Sequence, residues 1–150
     1  MIPTGRIALM AALLAGCSQP AEHSLVIGSE HYAFPAAHVL SLETDDHLFI
    51  RLKPPETQFS LVHDSRTEGQ RDPRGMPVIF SVSDGENPRL QYREAGGQTM
   101  VCRVTANQRG GCGLVLREGG ATWAILVPSP VHAETAVADA RSVLRSYRTR

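Results

Sequence analysis

Between residues 24 and 127 the chain is built of short segments in which apolar and polar residues alternate. In HLFIRLK (47–53), Leu48, Ile50 and Leu52 fall on one side, which is typical of a β-strand with one buried face. Residues 33–42 turn at Pro35 and then become extended. The other predicted strands occupy 24–28, 58–63, 78–82, 89–93, 100–104, 113–117 and 122–127. Turns rich in glycine or polar residues separate the later ones, at 84–88, 94–97 and 117–120. This pattern predicts a mainly antiparallel sheet.

After residue 128 the spacing of apolar residues changes from every second position to the spacing of an α-helix. Ser129 and Pro130 are typical of a helix start, as cap and first-turn residue. One helical face collects the apolar residues Ala133, Val137, Ala140, Leu144 and Tyr147. We therefore predict one α+β domain over 24–150, a mainly antiparallel β-sheet with a single C-terminal helix (130–148) packed on it.

Composition excludes some classes of partner. The chain has 150 residues with 15 basic and 15 acidic side chains, and only 5% of its residues are aromatic. Neither a basic surface nor a set of stacking platforms for nucleic acid is therefore expected. We predict no nucleic-acid partner.

The N-terminal residues have the organisation of an export signal. Arg6 precedes an apolar stretch, IALMAALLAG (7–16), and ten helical residues span about 15 Å, too short for a bilayer core of about 30 Å. A basic start, a short apolar region and small residues are typical of a secretory signal peptide. The sequence Leu14-Ala15-Gly16-Cys17 resembles the lipobox of bacterial lipoproteins.

This resemblance implies cleavage of residues 1–16 and acylation of Cys17, so that the lipid bilayer becomes one partner of the chain. Residues 17–23 would then form a lipidated tether. Ser18 stands where an aspartate would favour retention in the inner membrane, so we expect outer-membrane anchoring facing the periplasm, with the inner membrane as the alternative. An ordinary signal peptide with an incidental Cys17 is the competing interpretation.

Cys102 and Cys112 are the two remaining cysteines. They lie in alternating segments joined by the turn-rich stretch ANQRGG, and export would place them in an oxidising compartment. Two strands folding back on each other would bring them together, so we predict a disulfide. Free thiols or one catalytic thiol are the alternatives.

The sequence offers little for catalysis or metal binding. His63-Asp64-Ser65 has the residue types of a hydrolase triad, but neighbours on a strand point to opposite faces. The histidines show none of the common metal-binding spacings, and we interpret them as surface residues, with His38 half-buried. We expect no catalytic residues, no metal and no cofactor. A small periplasmic hydrolase using His38, His63 or Asp64 remains the third hypothesis.

The segment HYAFPAAHVLSL (31–42), with the strand and prolines after it, resembles envelope lipoproteins that neutralise type VI secretion toxins. That resemblance implies a non-catalytic immunity protein or inhibitor that binds a secreted toxin. A structural or assembly lipoprotein of an envelope complex is the alternative. The charged loop 64–75 is the candidate partner-binding edge, through Arg66, Arg71, Asp72 and Arg74; a solvated connection is the other interpretation of that loop.

Overall fold

The computed structural model describes residues 21–70, 89–95, 97–104 and 111–149. The predicted signal peptide, Cys17 and the predicted strand at 78–82 lie outside the described residues, as do the turns at 84–88 and 106–110. The described residues include both remaining cysteines, Cys102 and Cys112, and the first part of the charged loop 64–75.

Two antiparallel sheets and one helix make up the described fold. The strands are β1 (Glu22–Ile27), β2 (Glu30–Pro35), β3 (Val39–Glu43), β4 (Phe49–Leu52), β5 (Ser60–Asp64), β6 (Arg89–Ala95), β7 (Gln98–Val104), β8 (Cys112–Glu118) and β9 (Ala121–Val127). β1 and β2 form a hairpin, and the other strands form a seven-stranded sheet in the order β3-β4-β5-β9-β8-β7-β6. Helix α1 (Ala133–Tyr147) follows β9. The predicted fold class, α+β and mainly antiparallel with a C-terminal helix, is confirmed.

One face of the large sheet carries the core, as the alternation predicts. Ile50, Leu61 and Ile125 are fully buried on neighbouring strands. The β1–β2 hairpin and α1 cover this face side by side. Phe34 of the hairpin packs edge-on against both Trp123 of β9 and Tyr147 of α1. Aromatic packing therefore joins all three parts of the fold.

The β1–β2 hairpin differs from what we predicted. β2 was not predicted as a strand of its own, although buried Tyr32 and Phe34 alternate with less buried neighbours. The turn at Gly28 and Ser29 has Gly28 at a φ of 64°, a conformation that glycine adopts without steric cost. β1 begins at Glu22, so the last residues of the predicted 17–23 tether belong to the folded domain.

The helix also begins later than predicted. Pro130–His132 is a 3₁₀ turn, and the α-helix proper runs over Ala133–Tyr147 rather than 130–148. Ser129 makes no side-chain capping hydrogen bond. Ala136 is buried on the helical face, a residue outside the predicted apolar set, while Val137 is only partly buried.

The sheet has two distinguishable ends. At one end, the Ala36 N–H donates to the Ala21 carbonyl at 2.8 Å, and the Lys53 N–H donates to the His38 carbonyl at 2.8 Å. We call this the entry end; it also carries the loops 53–59 and 128–132. The opposite end, called the far end, carries the turns 28–29, 44–48, 65–70 and 119–120. The antiparallel register sets this division, since Leu52 pairs with Leu61 at one end and Phe49 with Asp64 at the other.

Candidate functional site

The far end gathers arginines around three carboxylates, each supplied by a different part of the chain. Glu118 ends β8, Glu68 lies in the 65–70 turn and Asp64 ends β5. Each carboxylate accepts hydrogen bonds from at least one guanidinium. Together these groups form a cluster of ion pairs at the far end, which we take as the candidate functional site.

Glu118 is buried and holds three arginines of the C-terminal segment. Its oxygens accept from Arg141 Nη1 at 2.6 Å, Arg145 Nε at 3.0 Å and Arg148 Nη2 at 2.8 Å. Burial raises the pKa of Glu118, but hydrogen bonds from Arg145 and Arg141 outweigh it and lower the pKa below its ordinary value. The carboxylate is therefore ionised and fixes the helix against the β8–β9 turn.

Glu68 replaces a missing strand partner. Pairing of β5 with β9 ends at Val62 and Ala124, and beyond it the Glu68 carboxylate accepts from the Thr122 N–H at 2.8 Å and the Thr122 hydroxyl at 2.7 Å. Arg117 Nη1 donates to the same carboxylate at 2.5 Å. Burial raises the pKa of Glu68, yet the bonds from Thr122 and Arg117 lower it on balance.

His63 satisfies the other backbone group at this position. Its Nδ1 lies 2.9 Å from the Thr122 carbonyl oxygen, and because a carbonyl only accepts, Nδ1 carries the proton. The ring packs against Trp123 at 5.4 Å between centroids. His63 is buried, not a surface residue as predicted, because it shares the inward face of β5 with Leu61. The structure thus gives His63 a structural role.

The neighbours of His63 point elsewhere. The Asp64 carboxylate accepts hydrogen bonds from Arg66 Nε at 3.1 Å and Nη2 at 3.0 Å. Burial raises the pKa of Asp64, but the hydrogen bonds from Arg66 outweigh that effect and lower the pKa. The Ser65 hydroxyl instead accepts from the Leu48 N–H at 3.0 Å. His63, Asp64 and Ser65 therefore do not converge, as the strand geometry predicts.

Three of the arginines combine a fixed position with exposure. The side chains of Arg66, Arg117 and Arg145 are 57%, 62% and 59% exposed. Each is held by a carboxylate through one or two of the five guanidinium N–H groups, so other donors are free for a partner. A guanidinium held in place loses less conformational freedom on binding than a mobile one. Chemically, this end can bind carboxylates and carbonyl groups of another molecule.

The predicted site residues are divided between described and undescribed parts. Arg66 lies at the far end, while Arg71, Asp72, Arg74 and Cys17 lie outside the described residues. Cys102 and Cys112 are directly paired across β7 and β8 and form a disulfide with a Cα–Cα distance of 4.1 Å. That prediction is confirmed.

No metal centre is formed by the residues that the structure describes. They contain no group of three or more His, Cys, Asp or Glu side chains able to hold a metal ion. His38, half-buried as predicted, has its Nδ1 2.9 Å from the Tyr147 hydroxyl. Burial raises the pKa of Tyr147, so this phenol is neutral and can donate to the imidazole.

Sequence reasoning missed Glu68, Glu118, Arg117 and Arg145. The nearest local signal is REGG (117–120), where two charged residues come directly before a turn. Their partners lie between 23 and 54 positions away along the chain, so no spacing rule for a helix or strand could have joined them.

Comparison of the chain with protein-family models, curated proteins and solved structures finds no significant match. Among the helices described, none has the length and apolar character needed to cross a membrane.

Proposed function

We propose that this chain is a lipid-anchored periplasmic domain without catalytic activity that binds a partner protein through its far end. The exposed, carboxylate-held Arg66, Arg117 and Arg145 carry this proposal. Arginine is enriched at protein interfaces and among their hot-spot residues, and a side chain held in place before binding loses less conformational freedom.

The proposed location rests on the N-terminal residues and agrees with the disulfide. The lipobox-like Leu14-Ala15-Gly16-Cys17 places the acylated residue shortly before β1, which begins at Glu22. The Cys102–Cys112 disulfide suits an oxidising compartment such as the periplasm. Outer-membrane anchoring is the version that Ser18 favours.

The far end lies opposite the point at which the tether enters. Ala21 bonds to the 36–38 turn at the entry end, whereas Thr122 and the Glu68 carboxylate meet at the far end. A partner arriving from the periplasm would therefore find the arginines accessible while the lipid is in the bilayer.

The sharpest version of the proposal is an immunity protein or inhibitor that neutralises a secreted toxin. It is supported by the resemblance of residues 31–53 to envelope immunity lipoproteins. A subunit of an envelope assembly would use the same surface, and the identity of the partner separates the two.

Crosslinking in intact cells tests the proposal. A photoreactive amino acid placed at Arg66 or Arg117 should capture a partner protein, whereas the same group at Arg51, exposed at the entry end, should not. In a second arm, replacing Arg66, Arg117 and Arg145 by serine should weaken capture by a native pull-down, with Arg51→Ser as the matched control. Equal capture from both ends, or none from either, would contradict the proposed interface.

Anchoring has its own test. The Cys17→Ser variant, exported behind a signal peptide whose cleavage needs no cysteine, should be found in the soluble periplasmic fraction, because serine does not receive the acyl chains that hold the native chain on the membrane. A membrane-bound Cys17→Ser variant would refute the lipid anchor and leave the arginine surface untouched.

A further inference from the structure

The entry end carries a short connection to the proposed anchor. Cys17 is four residues before Ala21, and four extended residues reach at most about 14 Å. The Ala21 carbonyl accepts a backbone hydrogen bond from Ala36, and the carbonyl of His38, two residues after Ala36, accepts one from Lys53. Ala21 and the 36–38 turn bonded to it would therefore lie close to the membrane that holds Cys17.

The same end exposes large apolar side chains. Val131 is 84% exposed in the 3₁₀ turn that precedes α1, and Leu40 is 58% exposed at the irregularity between Val39 and Ser41. Leu40 and Pro128 line one shallow cleft of about 400 Å³ together with Lys53. Among the described residues, Val26 on β1 is the other large apolar side chain exposed to this degree.

Charges at this end are mixed. Lys53, the only lysine of the chain, donates through Nζ to the Thr57 carbonyl, and Arg51 is exposed beside it. Glu56 and Asp139 line a neighbouring cleft with His132. Among the described residues of this end, Arg51 and Lys53 face Glu56 and Asp139, so we expect apolar contact rather than net charge to provide the attraction to a surface.

We propose that the entry end rests on the bilayer, with Val131 and Leu40 inserted among the lipid headgroups and upper acyl chains. This inference deepens the proposed function and depends on the lipid anchor at Cys17. An apolar side chain beside a membrane surface gains from insertion, and the anchor removes the cost of bringing the domain there. Seating the entry end in this way directs the far end towards the periplasm.

Tryptophan quenching in vesicles tests the orientation. The membrane form of the full mature chain is reconstituted into phosphatidylethanolamine–phosphatidylglycerol vesicles with lipids brominated near the headgroup. Val131→Trp and Leu40→Trp report on the entry end, and Asp46→Trp, exposed in the 44–48 turn, reports on the far end. The native Trp123 is fully buried and supplies a constant background, measured in the unsubstituted protein.

Bromolipid should quench the added tryptophan at 131 at least about twofold more than that at 46, since bromine acts only at close range to inserted groups. The tryptophan at 40 should follow that at 131. On vesicles, the Lys53 amine should be protected from labelling reagents. That protection should decrease in Val131→Asp, in Leu40→Asp and in the double variant, and circular dichroism verifies that each variant is folded. Equal quenching at 131 and 46 in protein that floats with the vesicles would overturn the seating.

Failure of the anchor gives a different result. Mass spectrometry of the N-terminal peptide shows whether Cys17 is acylated, and flotation shows whether the protein is membrane-bound. Protein without acyl chains that stays at the bottom of the gradient contradicts the proposed anchor and with it the seating. Acylated, floating protein without preferential quenching contradicts the seating alone.

Discussion

The Glu68 carboxylate accepts a hydrogen bond from the backbone N–H of Thr122 at 2.8 Å, 54 positions along the chain. A side chain thereby takes the place of a strand at the point where β5 and β9 separate. The bond joins the 65–70 turn to β9, and Arg117 is held by the same carboxylate. The position of Arg117 and the far end of the β5–β9 pair consequently depend on one residue.

Replacing Glu68 should destabilise the fold. Glu68→Ala leaves the N–H and hydroxyl of the buried Thr122 without their acceptor, so we expect a loss of about 1–3 kcal/mol in the free energy of unfolding. Urea denaturation measures it, and Glu22→Ala, at an exposed position of β1, should change stability by less than about 0.5 kcal/mol. Equal effects of the two substitutions would show that the Thr122 bonds add nothing to stability.

Glu118 should be the more costly carboxylate to lose. Its side chain is 5% exposed and accepts hydrogen bonds from three partly exposed arginines, so Glu118→Ala removes the shared acceptor of the cluster and should cost about 1.5–3 kcal/mol. Arg145→Ala removes one exposed member of the cluster and should cost at most about 1 kcal/mol. Calorimetric melting of both variants checks the order, and a larger effect for Arg145 would contradict it.

Acid should weaken the protein through these same groups. The pKa values of Glu68 and Glu118 are lowered from 4.5 in the folded protein. Their contribution is therefore complete above the unfolded pKa and is lost as the pH falls through the lower, folded pKa. Unfolding free energies measured between pH 7 and pH 3 should decline below about pH 4.5. Glu68→Gln combined with Glu118→Gln should flatten that decline, and an unchanged slope would contradict the assignment.

Gly28 and Gly97 have similar backbone angles but different surroundings, so substituting each by alanine distinguishes the cost of a steric clash from the cost of the backbone conformation. Gly28 and Gly97 have φ of 64° and 76°, but a Cβ on Gly28 would collide with the Gly119 carbonyl oxygen and lie 2.8 Å from the Gly120 carbonyl carbon, whereas one on Gly97 meets nothing within 4 Å. Gly97→Ala should cost about 1–2 kcal/mol. Gly28→Ala should cost about 1–3 kcal/mol more, since backbone must move. Chemical denaturation of the two variants measures both losses of stability. Equal losses would mean that the β1–β2 hairpin can shift away from the β8–β9 turn without cost.

The disulfide should make a measurable contribution. Removing it by Cys102→Ala with Cys112→Ala should lower stability by about 2.5–3 kcal/mol, as expected for closing a loop this short, with some further loss from the smaller buried side chains. A reducing agent should destabilise the native chain and leave the double variant unchanged. A native chain insensitive to reduction would contradict this expectation.

The sequence predicts the sheet because period-two alternation is a local property. In β4 the buried residues are Ile50 and Leu52, and in β8 every second residue from Cys112 to Glu118 is buried. The central strand β9 is buried at nearly every position. The buried residues of α1 recur at helical spacing. β2 was missed although Gly28-Ser29 between two alternating segments is itself a hairpin signal. The surface prediction for His63 is wrong because its place on the inward face with Phe59 and Leu61, and not its residue type, determines its burial. The arginine clusters depend on contacts between distant segments, which no local pattern records.

Among the residues that the structure describes, the ladder between β7 and β8 is short and runs from Met100 opposite Leu114 to Cys102 opposite Cys112. In contrast, β6 pairs with β7 along seven residues from Arg89 to Ala95. The sulfur bridge stands at the last pair of that short ladder. Without it, β6 and β7 could detach together as a two-stranded flap while the rest of the sheet stayed folded. With it, amide protons on both sides of this seam should exchange with solvent at matched rates, so that redox state decides whether the domain opens in one unit or two.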